Sequence, residues 1–430
     1  MRRAWTIAAV VVGCGCLTDG AAADWLDTLF PPGVPGYGDA PGVTVLSRLH
    51  PETQPPGIRD GGPWVLHPVW QQSIGYDSNV LGGPAPLGSW TVNTQPSLLL
   101  SSDWPRSAVG AFIALDDRRD LNAPAQSRTD GTASLGASLD IGRDRLTLAA
   151  AAIDGHEDRT ALDALPTDRP VPFQVQDLRA SYTWSDGRWV VTPNLDASAW
   201  HYGAATILGA PASQAYRDHD VVQGGATISY DVAPQRSLVV VVRAIGQDYQ
   251  HASAGQPSLN STGYQLLAGT DYADDAVWRY RLLLGAEHRD FAAASYPSRT
   301  AAITEAEIAW MPSGMTTVTA TVSRSMEDAA QEGVAGYTFT SARLSVDHEL
   351  RRDVLLHASA GVQRADFLQG GTWQAGYALG LGATWLVNRR VQVSATYDLT
   401  GQHGSSPTAA VPLSGDYTRS VGLLTLRLAL

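Results

Sequence analysis

Lysine is absent from the chain, so every fixed side-chain cation is an arginine. Cysteine is nearly absent: the 430 residues hold 2, Cys14 and Cys16. Both fall in residues 1–23, which have the marks of a secretory signal. Arg2 and Arg3 are followed by an apolar run over 4–12 and the small-residue site Ala21-Ala22-Ala23 before Asp24. Cleavage there leaves a mature chain without a thiol, which excludes disulfide frameworks and thiolate metal sites. Val11-Val12-Gly13-Cys14 offers a competing reading, lipoprotein processing at Cys14. Long apolar runs are missing as well. The signal's own run is too short to cross a bilayer, and the later apolar stretch 238–242 is shorter still. A secreted chain without a helical span can still live in a membrane if its backbone closes as a barrel. Nor is there an excess of positive charge. The net charge is −12, or −13 without Arg2, Arg3 and Asp19. An acidic, well-mixed balance argues against nucleic acid as a partner.

Catalytic signatures are also missing. None of the 10 histidines forms HExxH or a cluster with metal spacing, and there is no G-x-S-x-G elbow or phosphate-binding glycine loop. His288 and His348 read as interfacial groups near strand ends. Asp116-Asp117 and Asp274-Asp275 read as solvated residues at a loop mouth and in a tight turn. Asp77-Ser78-Asn79 reads as an Asx-type corner rather than a cation site. No catalytic, cofactor-binding or metal residues are expected, and the chain is not read as an enzyme.

What the sequence does contain is alternation. From about residue 69 to the C-terminus it runs as roughly 18 short alternating segments joined by links that are tight, then long, in turn. The tight links centre on Pro105, Arg143, Gly187, Pro234, Asp275, Ser313, Arg352 and Arg389. Short turns at one end and long loops at the other are the pattern of an up-and-down outer-membrane β-barrel. Within the segment from Trp278, the even positions Trp278, Tyr280, Leu282 and Leu284 are apolar, whereas Arg279, Arg281, Glu287 and Arg289 carry charge. Successive strand side chains point to opposite sides, so one face meets lipid and the other the lumen. On this register an arginine at Leu282 would be more harmful than one at Leu283.

A soluble β-sandwich gives the same alternation. The aromatics decide between them. Trp104, Trp184, Trp189, Tyr230, Tyr272, Trp278, Trp310 and Trp385 all lie near tight turns, as expected of a girdle at the periplasmic interface. The candidate lumen-lining residues are Arg243, Arg279, Arg281, Glu287, Arg289, Glu305, Glu307, Arg343, Asp347 and Glu349. Further inward charges are Asp177, Arg179, Asp196, Asp271, Asp398 and Arg427, with His357. They admit two readings: ion pairs that brace the wall, or a polar constriction that selects solutes. Residues 24–64 are rich in Pro-Gly pairs and lack alternation, so they read as an extended periplasmic tail, either a plain leader or a segment that enters the lumen or meets a periplasmic partner. The barrel itself is assigned to 65–430.

At the junction, Gly57-Ile58-Arg59, Pro68 and Tyr76-Asp77-Ser78-Asn79-Val80 resemble the β-barrel porin 2 family of proteobacterial outer-membrane proteins. The resemblance implies an integral barrel of the Gram-negative outer membrane, inserted by the barrel-assembly machinery, with relatives linked to exopolysaccharide export. It transfers no catalytic residue. The last strand departs from the usual assembly signal, ending in Leu424, Leu426, Leu428 and Leu430 without a terminal aromatic. The expected function is passage of hydrophilic solutes. The alternatives are a conduit or accessory barrel working with periplasmic polysaccharide-export proteins, and a structural, adhesive or lipid-acting barrel.

Overall fold

The computed structural model describes residues 28–37, 55–59, 61–252, 255–273, 277–369, 371–406 and 415–430. The signal segment, the tail residues 38–54, the turn carrying Asp274 and Asp275, and most of the last long loop lie outside the described residues.

Eighteen strands follow one another around a closed antiparallel barrel. They are β1 (Trp64–Asp77), β2 (Ser89–Ser102), β3 (Ala108–Asp120), β4 (Arg128–Ile141), β5 (Asp144–His156) and β6 (Pro172–Asp186). Next come β7 (Trp189–Tyr202), β8 (His219–Ala233), β9 (Arg236–Tyr249), β10 (Ser261–Ala273), β11 (Trp278–Phe291) and β12 (Arg299–Ser313). The last six are β13 (Thr316–Glu327), β14 (Tyr337–Arg351), β15 (Val354–Phe367), β16 (Trp373–Leu386), β17 (Val391–Ser405) and β18 (Tyr417–Ala429). Among the described residues the links are short at one end and long at the other, as expected; the link at Asp275 lies outside them.

β1 closes the ring by pairing with β18, from Val69↔Ala429 to Asp77↔Val421. Below that seam Ile58–Arg59 pairs with Leu66 and Val65, extending the sheet past the end of β18 and covering an edge that would otherwise stay open. At the loop end the seam is clasped by Asp77. Its carboxylate accepts from Arg419 at 2.6 Å and Arg118 at 3.0 Å, and from the Asn79 amide at 3.0 Å. The corner is therefore an Asx turn whose acid also ties the first, third and last strands.

The alternating pattern becomes two faces. Leu284 is 68% exposed on the outer surface while its neighbour Leu283 is fully buried inside. Leu178, Leu195, Leu238, Leu381 and Leu424 stand out from other strands in the same way. An apolar outer surface with polar groups within is the arrangement a bilayer requires.

Candidate functional site

An eighteen-stranded barrel is wide enough to leave a lumen that side chains of the wall alone do not fill. Part of this one is filled by residues 28–37. Phe30, Val34 and Tyr37 are buried against Leu99, Ala149, Ala151, Ile153, Val175 and Trp200, all on the inner faces of β2 and β5 to β7. Pro35 and Gly36 make the tight reversal between Val34 and Tyr37. Proline fixes one φ and Gly36 takes φ +84°, while the Tyr37 amide donates to the Val34 carbonyl at 3.0 Å. The wall is cut to receive this reversal: a Cβ at Gly110 would strike the Gly33 carbonyl, and one at Gly136 the Pro35 carbonyl. Tyr37 is then clamped. Its hydroxyl donates to the Asp177 carboxylate, and Arg179 lies over its ring at 4.5 Å and donates to the Gly36 carbonyl at 3.2 Å. Arg179 also bridges Asp177 at 3.1 Å and Asp196 at 3.0 Å.

The expected lumen charges lie mainly on the opposite wall. Arg243 reaches Glu305 at 2.6 Å across two intervening strands, and donates to Gln265 at 3.1 Å. Beneath that bridge Val239, Val241, Leu267, Leu283 and Ile303 form an apolar cluster on the inner face. Leu283 thus faces inward but is packed, which argues against the expectation that an arginine there would be milder than one at Leu282. Toward the loop end Glu287 and Arg289 are buried. Arg289 bridges Glu287 at 3.1 Å and Asp328 at 2.8 Å, and Gln265 donates to Glu287 at 2.9 Å. Toward the tight-turn end Arg281 pairs with Asp271 at 3.4 Å and stands opposite Glu307 in register, with Arg279 two residues away. Asp347 meets His357 at 2.9 Å, Glu349 is buried two residues on, and Arg343 acts on Asp398 at longer range.

The girdle residues sit at the tight-turn end. Trp64 packs with Trp104, Trp189 with Tyr230, Tyr272 with Tyr280, and Trp278 stacks on Trp310 at 5.6 Å. Trp184 and Trp385 stand exposed on the same rim. The pair Asp116-Asp117 proves to lie within β3, with its two members on opposite faces. Asp116 accepts from Gln95 at 2.8 Å inside, while Asp117 meets Arg119 outside, so it is not a solvated loop pair.

At the other end the long loops fold over the mouth and bind one another. Tyr216 donates to the Ala330 carbonyl at 2.6 Å, Gln331 to the Asp163 carbonyl at 3.0 Å, Tyr417 to the Thr160 carbonyl at 3.0 Å, and Tyr296 to the Gly333 carbonyl at 3.1 Å. Leu162, Ala329 and Val334 bury themselves there against Tyr337, Phe339, Ala365 and Phe367. Arg217 pairs with Glu157, Nη1 to Oε2 at 2.9 Å. Between these loops burial, helped by Glu157, pushes the Asp163 carboxyl up to about 6, although Arg217 and the Ala330 amide oppose the shift. Neither this cap nor the seat of residues 28–37 was foreseen residue by residue. Both depend on contacts between segments far apart in sequence, from 37 positions for Tyr296 and Gly333 to 257 for Thr160 and Tyr417, for which strand periodicity carries no signal.

No curated protein matches the sequence. Among solved structures, OccK1 (OpdK) of Pseudomonas aeruginosa is 10% identical, with a TM-score of 0.45 over 85% of this chain and 99% of that one. The FrpB iron transporter of Neisseria meningitidis is 8% identical, with a TM-score of 0.47 over 80% of this chain, which spans only 63% of the transporter. A bacterial polysaccharide outer membrane secretin is 10% identical, with a TM-score of 0.38 over 85% of this chain and 98% of that one. The family model described as "Putative beta-barrel porin 2" matches residues 50–429, and the chain belongs to that family of outer-membrane β-barrels.

Proposed function

We propose that this barrel is a passage for hydrophilic solutes across the Gram-negative outer membrane, held shut at rest by residues 28–37. The observation that carries the reading is the seat itself: ten residues from the N-terminal region occupy the lumen, in a wall whose glycines admit their backbone. In this reading the tight turns and the Trp rim face the periplasm, and the interlocked loops face outward. The ion pairs on β9 to β15 keep the remaining lumen polar while leaving few charges unpaired, which suits a solute path without strong charge preference.

The same seat favours a second reading over an always-open porin. A closed barrel whose stopper is joined to the wall through a tail would suit a conduit for exopolysaccharide, opened when periplasmic export proteins draw the tail out. A structural or adhesive barrel needs no removable stopper.

Planar-bilayer recording on the full chain and on a variant lacking residues 24–37 tests the proposal. The full chain should conduct rarely and the variant steadily. Steady conductance in the full chain would remove the stopper from the account, and silence in both would remove the passage.

A further inference from the structure

Between residues 29–31 and the wall of β18 to β6 lies a cavity of about 400 Å³, within the ordinary range for small-molecule sites. One band of its lining crosses six strands. Arg427 on β18 stands opposite Gln71 on β1, and Gln71 donates to Gln95 on β2 at 2.9 Å. Gln95 in turn donates to Asp116 on β3 at 2.8 Å, and Asp116 stands opposite Asp130 on β4. His156 on β5 approaches Asp130 at 2.7 Å, and Arg128 lies 3.4 Å from its other oxygen. Both acids of this band have partners, although the buried Oδ1 of Asp116 makes no hydrogen bond among the described residues. Arg427 has none: among the described residues its guanidinium makes no hydrogen bond or ion pair, and Gln392, which faces it in register but is not part of the cavity lining, donates to nothing either. Arg427 is partly buried, and a charge partly withdrawn from water is normally paired. Thr28, His67, Ser97 and Thr132 add polar groups to the lining, and its apolar part includes Phe30, Phe112 and Phe173, with Phe30 edge-on to Phe112 at 6.0 Å.

We propose that this cavity binds a small carboxylic acid with an apolar or aromatic body, its carboxylate held by Arg427 and its ring among the three phenylalanines. A guanidinium meets a carboxylate through two parallel N–H donors, which makes this anion the best-matched occupant. Phe30 belongs to the stopper, so such a ligand touches wall and stopper together. The inference rests on the reading of the lumen as a solute path and narrows its solutes to one class, but binding and conductance are separate measurements and each fails alone.

Calorimetric titration of the purified full chain in detergent, with benzoate, benzamide and acetate as probes, tests it. Benzoate should bind, and losing the charge (benzamide) should weaken binding roughly 10–100-fold, the range for a hydrogen bond to a charged group. Acetate, which lacks the ring, should also bind more weakly. Arg427→Gln should abolish the preference for benzoate over benzamide, and Arg119→Gln, on the outer face, should leave it intact. Should Arg427→Gln fail to form the heat-modifiable barrel, Phe30→Ala provides the second arm, weakening benzoate while sparing acetate. Equal binding of benzoate and benzamide, no binding of benzoate, a charge preference untouched by Arg427→Gln, or a benzoate affinity untouched by Phe30→Ala would overturn the proposal.

Discussion

On β3 to β7 the inward positions that meet residues 30–37 include the small or apolar Gly110, Gly136, Ala149, Ala151 and Val175, with the charged Asp177 and Arg179 beside them. On β9 to β12 an apolar patch of similar character, Val239, Val241, Leu267 and Leu283, is covered by the wall's own side chains when Arg243 reaches across it to Glu305. Both walls face a lumen, and both hide hydrocarbon from water. One does it with another part of the chain, the other with its own ion pair. A cover supplied by a separate segment can be removed without breaking the sheet beneath, whereas a cover built from strand side chains cannot. That difference assigns the movable role to residues 28–37 and the bracing role to the charged wall.

The strongest way to break this comparison is to spoil the seat from the wall side. Gly136→Val places a branched side chain where the Pro35 carbonyl rests, yet suits a strand well. The barrel should fold, and the segment should be expelled, giving up the burial of Phe30, Val34 and Tyr37 at about 1.5–3 kcal/mol for each large side chain. Conductance should rise to the level of the variant lacking residues 24–37. A Gly136→Val barrel that folds and stays as silent as the parent would show that the seat does not hold the stopper.

The second effect separates outside from inside on the charged wall. Leu284→Arg puts a charge on the lipid face and should cost about 2–4 kcal/mol in a bilayer. Leu283→Arg should be at least as harmful, because it forces an ion into the packed cluster beneath Arg243 and Glu305. Denaturant unfolding from lipid vesicles measures both. A mild Leu283→Arg would mean that this patch opens to water and that the two walls are alike.

The Leu283 case marks how far the sequence could be read. Alternation and the asymmetry of the links are local properties, so strand number, closure and the inward direction of Arg243, Arg281 and Arg289 were legible. Periodicity says which way a side chain points and nothing of what it meets there. The bridge from Arg243 to Glu305 spans 62 positions, and the contact of Tyr37 with Asp177 spans 140. The turn signal Pro35-Gly36 was visible, but its receptor is made of glycines on two other strands, and a glycine in a strand reads only as weakness. Asp163 was unremarkable for the same reason, since its environment is assembled from distant loops.

A smaller effect concerns the loop cap. Burial raises the Asp163 carboxyl in the closed cap to about 6 from an ordinary 3.8, so the closed form holds its proton more tightly than a solvated carboxyl does. Protonation then favours closure: the cap is tightest in acid and loses that contribution as pH rises through about 6. Limited proteolysis within residues 157–171 and 328–336 should be slower at pH 5 than at pH 7.5. Asp163→Asn, which cannot ionise, should shrink the difference. Equal cleavage rates for the parent at the two pH values would rule out a role for this carboxyl in the cap.

The smallest expected effect falls on the covering bridge itself. Arg243 and Glu305 both keep some exposure, 23% and 32% for their side chains, so solvent screens the pair and its loss should cost only about 0–1 kcal/mol. Arg243→Met retains a long apolar stem over Leu267 and Leu283 and removes only the charge. Stability in vesicles should therefore barely change. Selectivity should change, because Glu305 is left without its counter-charge in the lumen. In the variant lacking residues 24–37, Arg243→Met should move the reversal potential toward cations, and Arg243→Met with Glu305→Gln should restore it. A large loss of stability with unchanged selectivity would make the bridge structural alone, and the two walls would then differ in what covers them but not in what passes.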